Sequence, residues 1–220
     1  MSHALVVAWY RKDGNIFMLT GTESGYDKHT PVPAIADSKA KVSAILASLP
    51  PHARYVGREF DKTTRMYKSY TIQKVTSASK KGFPKGGMTA KDKDNIKQTA
   101  SREFQEEVGF DLNKAKLVPH GNHGGSTVFT YEVTDHEITQ IEAAIEKMEK
   151  DRRGELFHVA FRRASTVASD LDHFNAPSKA AFNYLRRDPA FKNTDKHGGG
   201  KNMTRKRKSM RKRAKHQTRK

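Results

Sequence analysis

Residues 102–110 read Arg-Glu-Phe-Gln-Glu-Glu-Val-Gly-Phe. On a helix, Glu103, Glu106 and Glu107 fall at i, i+3 and i+4, so three carboxylates share one face. Like charges at that spacing destabilise a helix by about 0.2–0.5 kcal/mol per pair, so helix stability gives no reason for them. A divalent cation removes the repulsion and makes use of the cluster. Mg²⁺ takes oxygen ligands in octahedral geometry, which carboxylates and waters supply. The plainer reading of the same residues is a solvated acidic face neutralised by Arg102 and nearby lysines.

The residues upstream favour the first reading. Phe83-Pro84-Lys85-Gly86-Gly87 is a turn-forming stretch whose glycines let backbone approach a ligand closely. An acidic, polar stretch containing Asp92 and Asp94 follows, then a helical run from about residue 95 to 108 that stops at Gly109. Together these residues resemble the Nudix box, G-x5-E-x7-R-E-U-x-E-E-x-G-U with U aliphatic or aromatic. Arg102, Glu103, Phe104, Glu106, Glu107, Gly109 and Phe110 match every fixed position of its second half. The first half departs from the pattern. Seven residues before Arg102 stands Asp94, an aspartate where the family has glutamate, and Gly87 is then one residue too far upstream. Alternatively Gly86 pairs with Asp92, and two residues are inserted on the helix side. The first alignment is preferred because loops accept insertions more readily than helices.

The resemblance implies an α/β fold, the Nudix α/β/α sandwich around a mixed sheet, and a metal-dependent pyrophosphohydrolase using Mg²⁺ or Mn²⁺. It implies Glu103, Glu106 and Glu107 as metal ligands, with Glu106 and Glu107 central to catalysis. Arg102 then orients a neighbouring glutamate by an ion pair, and Lys85, Gly86 and Gly87 sit beside metal and phosphates. Asp94 and Gly109 support the loop and the helix end. Family members often recruit a carboxylate from a distant loop as general base. Glu155, in Arg153-Gly154-Glu155-Leu156-Phe157 before a late strand, is the candidate, and an ordinary surface acid is its plainer reading.

The rest of the chain frames this site. A length of 220 residues suits one core, and 35% hydrophobic against 30% charged residues implies that part of the chain is not packed. One domain over residues 1–190 is therefore expected, followed by a tail at 191–220. No cysteine is present, which excludes disulfides and thiolate metal sites. No apolar run reaches membrane-spanning length, and no signal-peptide pattern opens the chain, so no membrane partner and an intracellular location are expected. In a eukaryotic cell or a viral host that means cytoplasm or nucleus. Twelve of the eighteen net positive charges lie between Lys196 and Lys220, after Gly198-Gly199-Gly200. This segment is too polar to offset its ordering entropy and is expected to be disordered. Arg205, Lys206, Arg207, Lys208, Arg211, Lys212 and Arg213 would neutralise phosphates of RNA, or serve as a nuclear address.

Patterning predicts strands at 4–10 and 15–20 around the Asp13-Gly14 turn, a helix at 38–49 and a strand at 65–75. After the motif come strands at 116–119, 126–133 and 156–162, and helices at 138–150 and 177–187. Residues 26–75 form a long interval before the motif, expected to be an insertion that shapes substrate access. His120 and His123 read as loop residues. Trp9 and Phe83 read as core, as do Tyr67 and Tyr70, with base stacking as the alternative for these aromatics. Pro84-Lys85-Gly86 also resembles decapping and diphosphoinositol members of the family. The long interval and Ala180-Ala181-Phe182-Asn183-Tyr184-Leu185 resemble the mRNA-decapping enzymes of large DNA viruses. Removal of the 5′ cap from RNA is thus the leading expectation. Hydrolysis of nucleotide sugars, dinucleoside polyphosphates or diphosphoinositols, and RNA binding on a non-catalytic Nudix scaffold, are the alternatives.

Overall fold

The first strand decides the architecture. Ala4, Val6 and Ala8 point to one face of the sheet and Leu5, Val7 and Trp9 to the other, and all six are buried. A strand apolar on both faces must be covered on both. In the computed structural model, which describes residues 2–24, 35–36, 39–48, 54–61, 66–73, 75, 79–92 and 94–191, it is. The elements are β1 (His3–Lys12), β2 (Asn15–Glu23), β3 (Ile35–Ala36), α1 (Lys39–Ser48), β4 (Arg54–Asp61), β5 (Met66–Gln73), β6 (Lys81–Gly82) and β7 (Lys85–Gly87). They continue with α2 (Ile96–Val108), β8 (Val118–His123), β9 (Ser126–Glu132), α3 (Asp135–Lys150), β10 (Leu156–Arg163), α4 (Ala164–Ser169) and α5 (Ala176–Leu185).

The main sheet has the order β10-β2-β1-β9-β8. Only β1 and β9 run parallel in it, with His3 opposite Ser126; the other neighbours are antiparallel, so the sheet is mixed. β6 adds to β2, and β7 to β1. Asp13 and Gly14 both have positive φ, as a two-residue hairpin turn between β1 and β2 requires. Helices α2 and α3 cover one face through Ala100, Phe104, Val108, Ile141 and Ile145. Val167 of α4, then Phe182 and Leu185 of α5, with Phe191 beyond it, cover the other. The protein is an α/β/α sandwich. Among the described residues no helix is long and apolar enough to cross a membrane.

The interval before the motif holds a separate three-stranded sheet, β3-β5-β4, with α1 beside it. Expectation had one strand there, and patterning missed β3 and β4. The side chains of Val42, Ile45, Leu46, Leu49, Tyr67 and Tyr70 lie outside the described residues, as does the tail from 192 to 220. Phe83 and Trp9 are core residues, Trp9 packing on Phe191 at 4.6 Å between ring centroids. His120 and His123 were expected in a loop and instead stand in β8. The strand passes through both because a bulge between Pro119 and Asn122 lets it continue. His120 meets Thr130 Oγ1 at 2.8 Å, and the His123 ring stacks on Tyr184. β8 is the sheet edge opposite β10.

The start of α3 is secured by a reciprocal cap. Thr134 accepts from Glu137 N, and the Glu137 carboxylate accepts from Thr134 N at 2.9 Å. The same carboxylate receives Tyr131 OH at 2.6 Å and Lys116 Nζ at 2.7 Å. Burial works against its charge, but the Lys116 bond and the Thr134 and Tyr131 hydrogen bonds outweigh it, holding the pKa at about 2. A carboxylate depressed on folding contributes stability above its unfolded pKa and loses it as pH falls toward the folded value. Glu137→Ala is therefore expected to destabilise by about 3 kcal/mol at neutral pH. The acid limb of the stability curve between about pH 4.5 and pH 2 should also flatten. Urea denaturation across that pH range measures both.

Candidate active site

Helix α2 is delimited by local chemistry. Asn95 accepts from Lys97 N at 3.0 Å and Gln98 N at 3.3 Å, so its side chain caps the first turn. Gly109 ends the helix at φ +82°, and its N–H bonds Gln105 O at 2.9 Å. Between them Ala100, Phe104 and Val108 face the core, which fixes where the carboxylates point.

Strand β7 lays the glycine-rich segment across these carboxylates. Leu5, Ala4 and His3 pair with Lys85, Gly86 and Gly87. Glu107 is buried and accepts the Lys85 backbone N–H at 2.9 Å. Glu103 lies against Gly86, where an added Cβ would stand 2.0 Å from the Glu103 carboxylate. A side chain at 86 would displace the Glu103 carboxylate from this place, which glycine leaves open. Glu106 points outward, more than half exposed, and is paired with Arg102 at 3.0 Å. The three carboxylates thus divide: two face the glycine segment and one faces solvent.

Arg102 is the hub. It pairs with Glu103 at 2.7 Å and Glu106 at 3.0 Å, and donates to Gly87 O at 2.8 Å. Its two-pronged partner is Asp92, with Nε to Oδ1 and Nη2 to Oδ2 both at 3.0 Å. Thr89 N and Oγ1 also donate to Asp92, which is buried and held well below the usual carboxylate range chiefly by Arg102. Asp94, expected to support the loop, is exposed in a left-handed turn at φ +57°, and it is Asp92 that meets Arg102. A loop separates Asp92 from the start of α2, so the aspartate two residues before Asp94 is the one that faces Arg102. A short helical turn at 90–92 and the left-handed residue at 94 lead from Asp92 to the Asn95 cap.

Glu155 is exposed, and its charge bears on Glu103 and Glu107. Burial, then the charge of Glu103, and also that of Glu155, push the Glu107 carboxyl well up. Glu103 is raised by burial, with Glu106 and Glu155 adding to it against Arg102. Gly154 sets the backbone next to Glu155 against α2. At φ +89° its backbone packs on α2, and a Cβ would stand 3.4 Å from Glu107 O. Lys85 sends its ammonium to Glu23 Oε1 at 2.8 Å, and Asn175 Nδ2 donates to the same oxygen at 2.9 Å. Glu23 went unread in the sequence because it is an isolated acid ending a strand, and only the sheet brings it to Lys85. The basic residues at 205–213 lie outside the described residues.

As these side chains stand, no three carboxylates or imidazoles among the described residues converge on one point for a metal ion. The donor chemistry nonetheless suits a hard dication. Glu107 is a buried carboxylate with one backbone hydrogen bond, and the like charges of Glu103 and Glu155 work against its ionisation. Such a group calls for an added positive charge, and all the candidate donors are oxygens, as Mg²⁺ and Mn²⁺ prefer.

No family model and no curated protein matches the chain. Solved structures similar to it include the NUDIX domain of Shewanella oneidensis NrtR complexed with ADP-ribose. That pair shares 8% identity at a TM-score of 0.46, over 85% of this chain and 86% of that one. A NUDIX hydrolase from Nitrosomonas europaea gives 14% identity and a TM-score of 0.39, over 85% and 89%. The T. brucei MERS1–RNA complex gives 11% and 0.35, over 77% of this chain and 54% of the other. At TM-scores below 0.5 these likenesses carry no functional weight, and the chemistry of the site is read from the residues of this chain.

Proposed function

We propose that this chain is a Nudix-type hydrolase that cleaves a phosphoanhydride, with 5′-capped RNA as its substrate. The observation that carries the reading is the buried Glu107 carboxylate, which accepts from Lys85 N–H while the charges of Glu103, lying against Gly86, and of Glu155 work against its ionisation. A fold gains nothing from burying a carboxylate among like charges, whereas a cation-dependent site needs that arrangement. Glu103 and Glu107, with Glu106, would hold Mg²⁺ or Mn²⁺. The bound ion would neutralise charge on the phosphates and polarise the phosphoryl group.

The chain's own residues do the rest. The exposed Glu155 carboxylate takes a proton from the attacking water. The water oxygen bonds to phosphorus, the anhydride P–O bond breaks, and its electron pair leaves with the departing phosphate. Arg102 holds Glu103 and Glu106 in place and is itself locked by Asp92 and Gly87 O. Lys85 is held by Glu23 at the rim of the cluster. A chain with a net charge of +18, most of it beyond residue 195, suits a polyanionic substrate better than a small one.

The test is release of methylated guanosine diphosphate from cap-labelled RNA, beside nucleotide and inositol pyrophosphates, with Mg²⁺ or Mn²⁺. Cap release is expected, and truncation to residues 1–195 should weaken it most at low salt. Turnover confined to small pyrophosphates would discard the RNA substrate, and no turnover of any substrate would discard the hydrolase. Glu155→Gln is expected to lower kcat about 100-fold, the lower end for loss of a general base. A glutamine variant with full turnover would return Glu155 to an ordinary surface acid.

A further inference from the structure

The backbone on either side of Glu155 is strained. Arg152 and Gly154 before it are left-handed at φ +53° and +89°. Beyond it His158 is left-handed at φ +53°, at a bulge where β10 loses register with β2 between Phe157 and Ala160. Non-glycine residues in that region are strained, and such backbone persists only where its surroundings fix it. One side chain from the other sheet does so. Arg54, the first residue of β4, is buried. One guanidinium nitrogen donates to Arg153 O at 3.2 Å and to Leu156 O, the carbonyls on either side of the Gly154-Glu155 pair. The other terminal nitrogen meets Glu149 Oε1 at 3.3 Å, at the end of α3. The guanidinium carbon lies 4.5 Å from the centre of the Phe157 ring. A planar guanidinium can bond two carbonyls, pair with a carboxylate and stack on a ring at once, which a lysine cannot.

We infer that Arg54 is a positioning residue for Glu155, through which the β3-β5-β4 sheet sets the placement of the general base. The inference rests on Glu155 being that base. It gives the interval before the motif a role in catalysis, since Arg54 brackets the two carbonyls around Glu155 and, among the described contacts, meets none of Glu103, Glu106 and Glu107. Docking of the small sheet onto the core is the simpler role for the same contacts. Docking alone predicts that Arg54 variants change stability and substrate affinity but leave the proton-transfer step untouched.

The full-length chain is compared as wild type, Arg54→Lys, Arg54→Met, Glu155→Gln and the Arg54→Met/Glu155→Gln double variant. Hydrogen exchange comes first because it needs no turnover. Amides at 153–157 should exchange at least tenfold faster in Arg54→Met while those of α2 keep their protection. Unchanged exchange at 153–157 would overturn the clamp. In turnover, Arg54→Met should lower kcat about 10- to 100-fold with KM within twofold, and Arg54→Lys should recover part of the loss. The double variant should be no slower than Glu155→Gln alone, because both changes remove the same contribution. Losses that multiply, or a change confined to KM, would leave Arg54 a docking residue only. Full activity in Glu155→Gln would instead refute the base, and the exchange result alone would then decide the clamp.

Discussion

Asp92→Asn is expected to destabilise the protein by about 3 kcal/mol, whereas Asp94→Asn should stay within about 0.5 kcal/mol of wild type. The two substitutions are chemically identical and two positions apart, so the difference isolates environment. At Asp92 the change removes the negative partner of a half-buried guanidinium and turns an amide N–H toward donors on Arg102 or Thr89. Breaking a buried pair on one side leaves the other charge without compensation, which costs about 3–5 kcal/mol. The lower end applies because Arg102 keeps Glu103 and Glu106. Asp94 is exposed, and asparagine tolerates its left-handed backbone. The pH dependence has a definite sign. The Asp92 carboxyl is depressed on folding, mainly by the Arg102 bond, so its contribution is present above the ordinary aspartate pKa of about 4. It fades as pH falls below that value, and the variant should lack this acid limb. Equal costs at the two positions in chemical denaturation would mean that Asp92 does not anchor Arg102.

Glu107→Gln should have the largest effect on activity, about 10⁴-fold in kcat/KM, or about 5–6 kcal/mol of transition-state stabilisation. It should do so without loss of stability. Burial and the charges of Glu103 and Glu155 push the Glu107 carboxyl well above the ordinary range. A carboxyl raised on folding penalises the native state as pH climbs from its unfolded pKa through its folded one, and the full penalty applies above the latter. Without divalent cation, wild type should therefore lose stability with rising pH through that window, and Glu107→Gln should not. Millimolar Mg²⁺ or Mn²⁺ should raise the wild-type Tm at pH 7.5, because an ion bound only by the native state stabilises it. Chelation should reverse the rise, and the variant should show neither response. A wild-type Tm that ignores both cation and chelator would remove the metal from this site. Calorimetry at two pH values, with and without cation, is sufficient.

Much of the scaffold was legible because it is written in local spacing. The apolar run of β1 and the Asp13-Gly14 turn gave the opening hairpin, and the spacing of Ile138, Ile141, Ile145 and Met148 gave the inward face of α3. Boundaries moved where side-chain chemistry beyond periodicity took over. Helix α3 begins earlier than its apolar pattern because Thr134 and Glu137 cap it reciprocally. Strand β8 runs through two histidines and a glycine, residues that carry no strand signal, because β9 supplies its hydrogen bonds. Strands β3 and β4 were missed for a similar reason. Arg54–Asp61 alternates too weakly to announce itself, and its pairing with β5 makes it a strand.

For the candidate site the division is sharper. The sequence alone determined the carboxylates of α2, the helix end at Gly109 and the glycine segment before them, since each depends on neighbours within a turn or two. Only the tertiary structure decided which aspartate faces Arg102, because a left-handed residue in the intervening loop can shift that pairing by two positions at little cost. Tertiary structure also turned Glu107 inward while leaving Glu106 in solvent. It brought Glu155 to α2, Glu23 to Lys85, and Arg54 to the carbonyls beside Glu155. Glu23, which Lys85 shares with Asn175, stands 152 positions from that asparagine, and Arg54 stands 99 and 102 positions from its carbonyls. Separations of that length are set by sheet register and by the packing of two sheets. Neither leaves a periodic mark on the residues that meet.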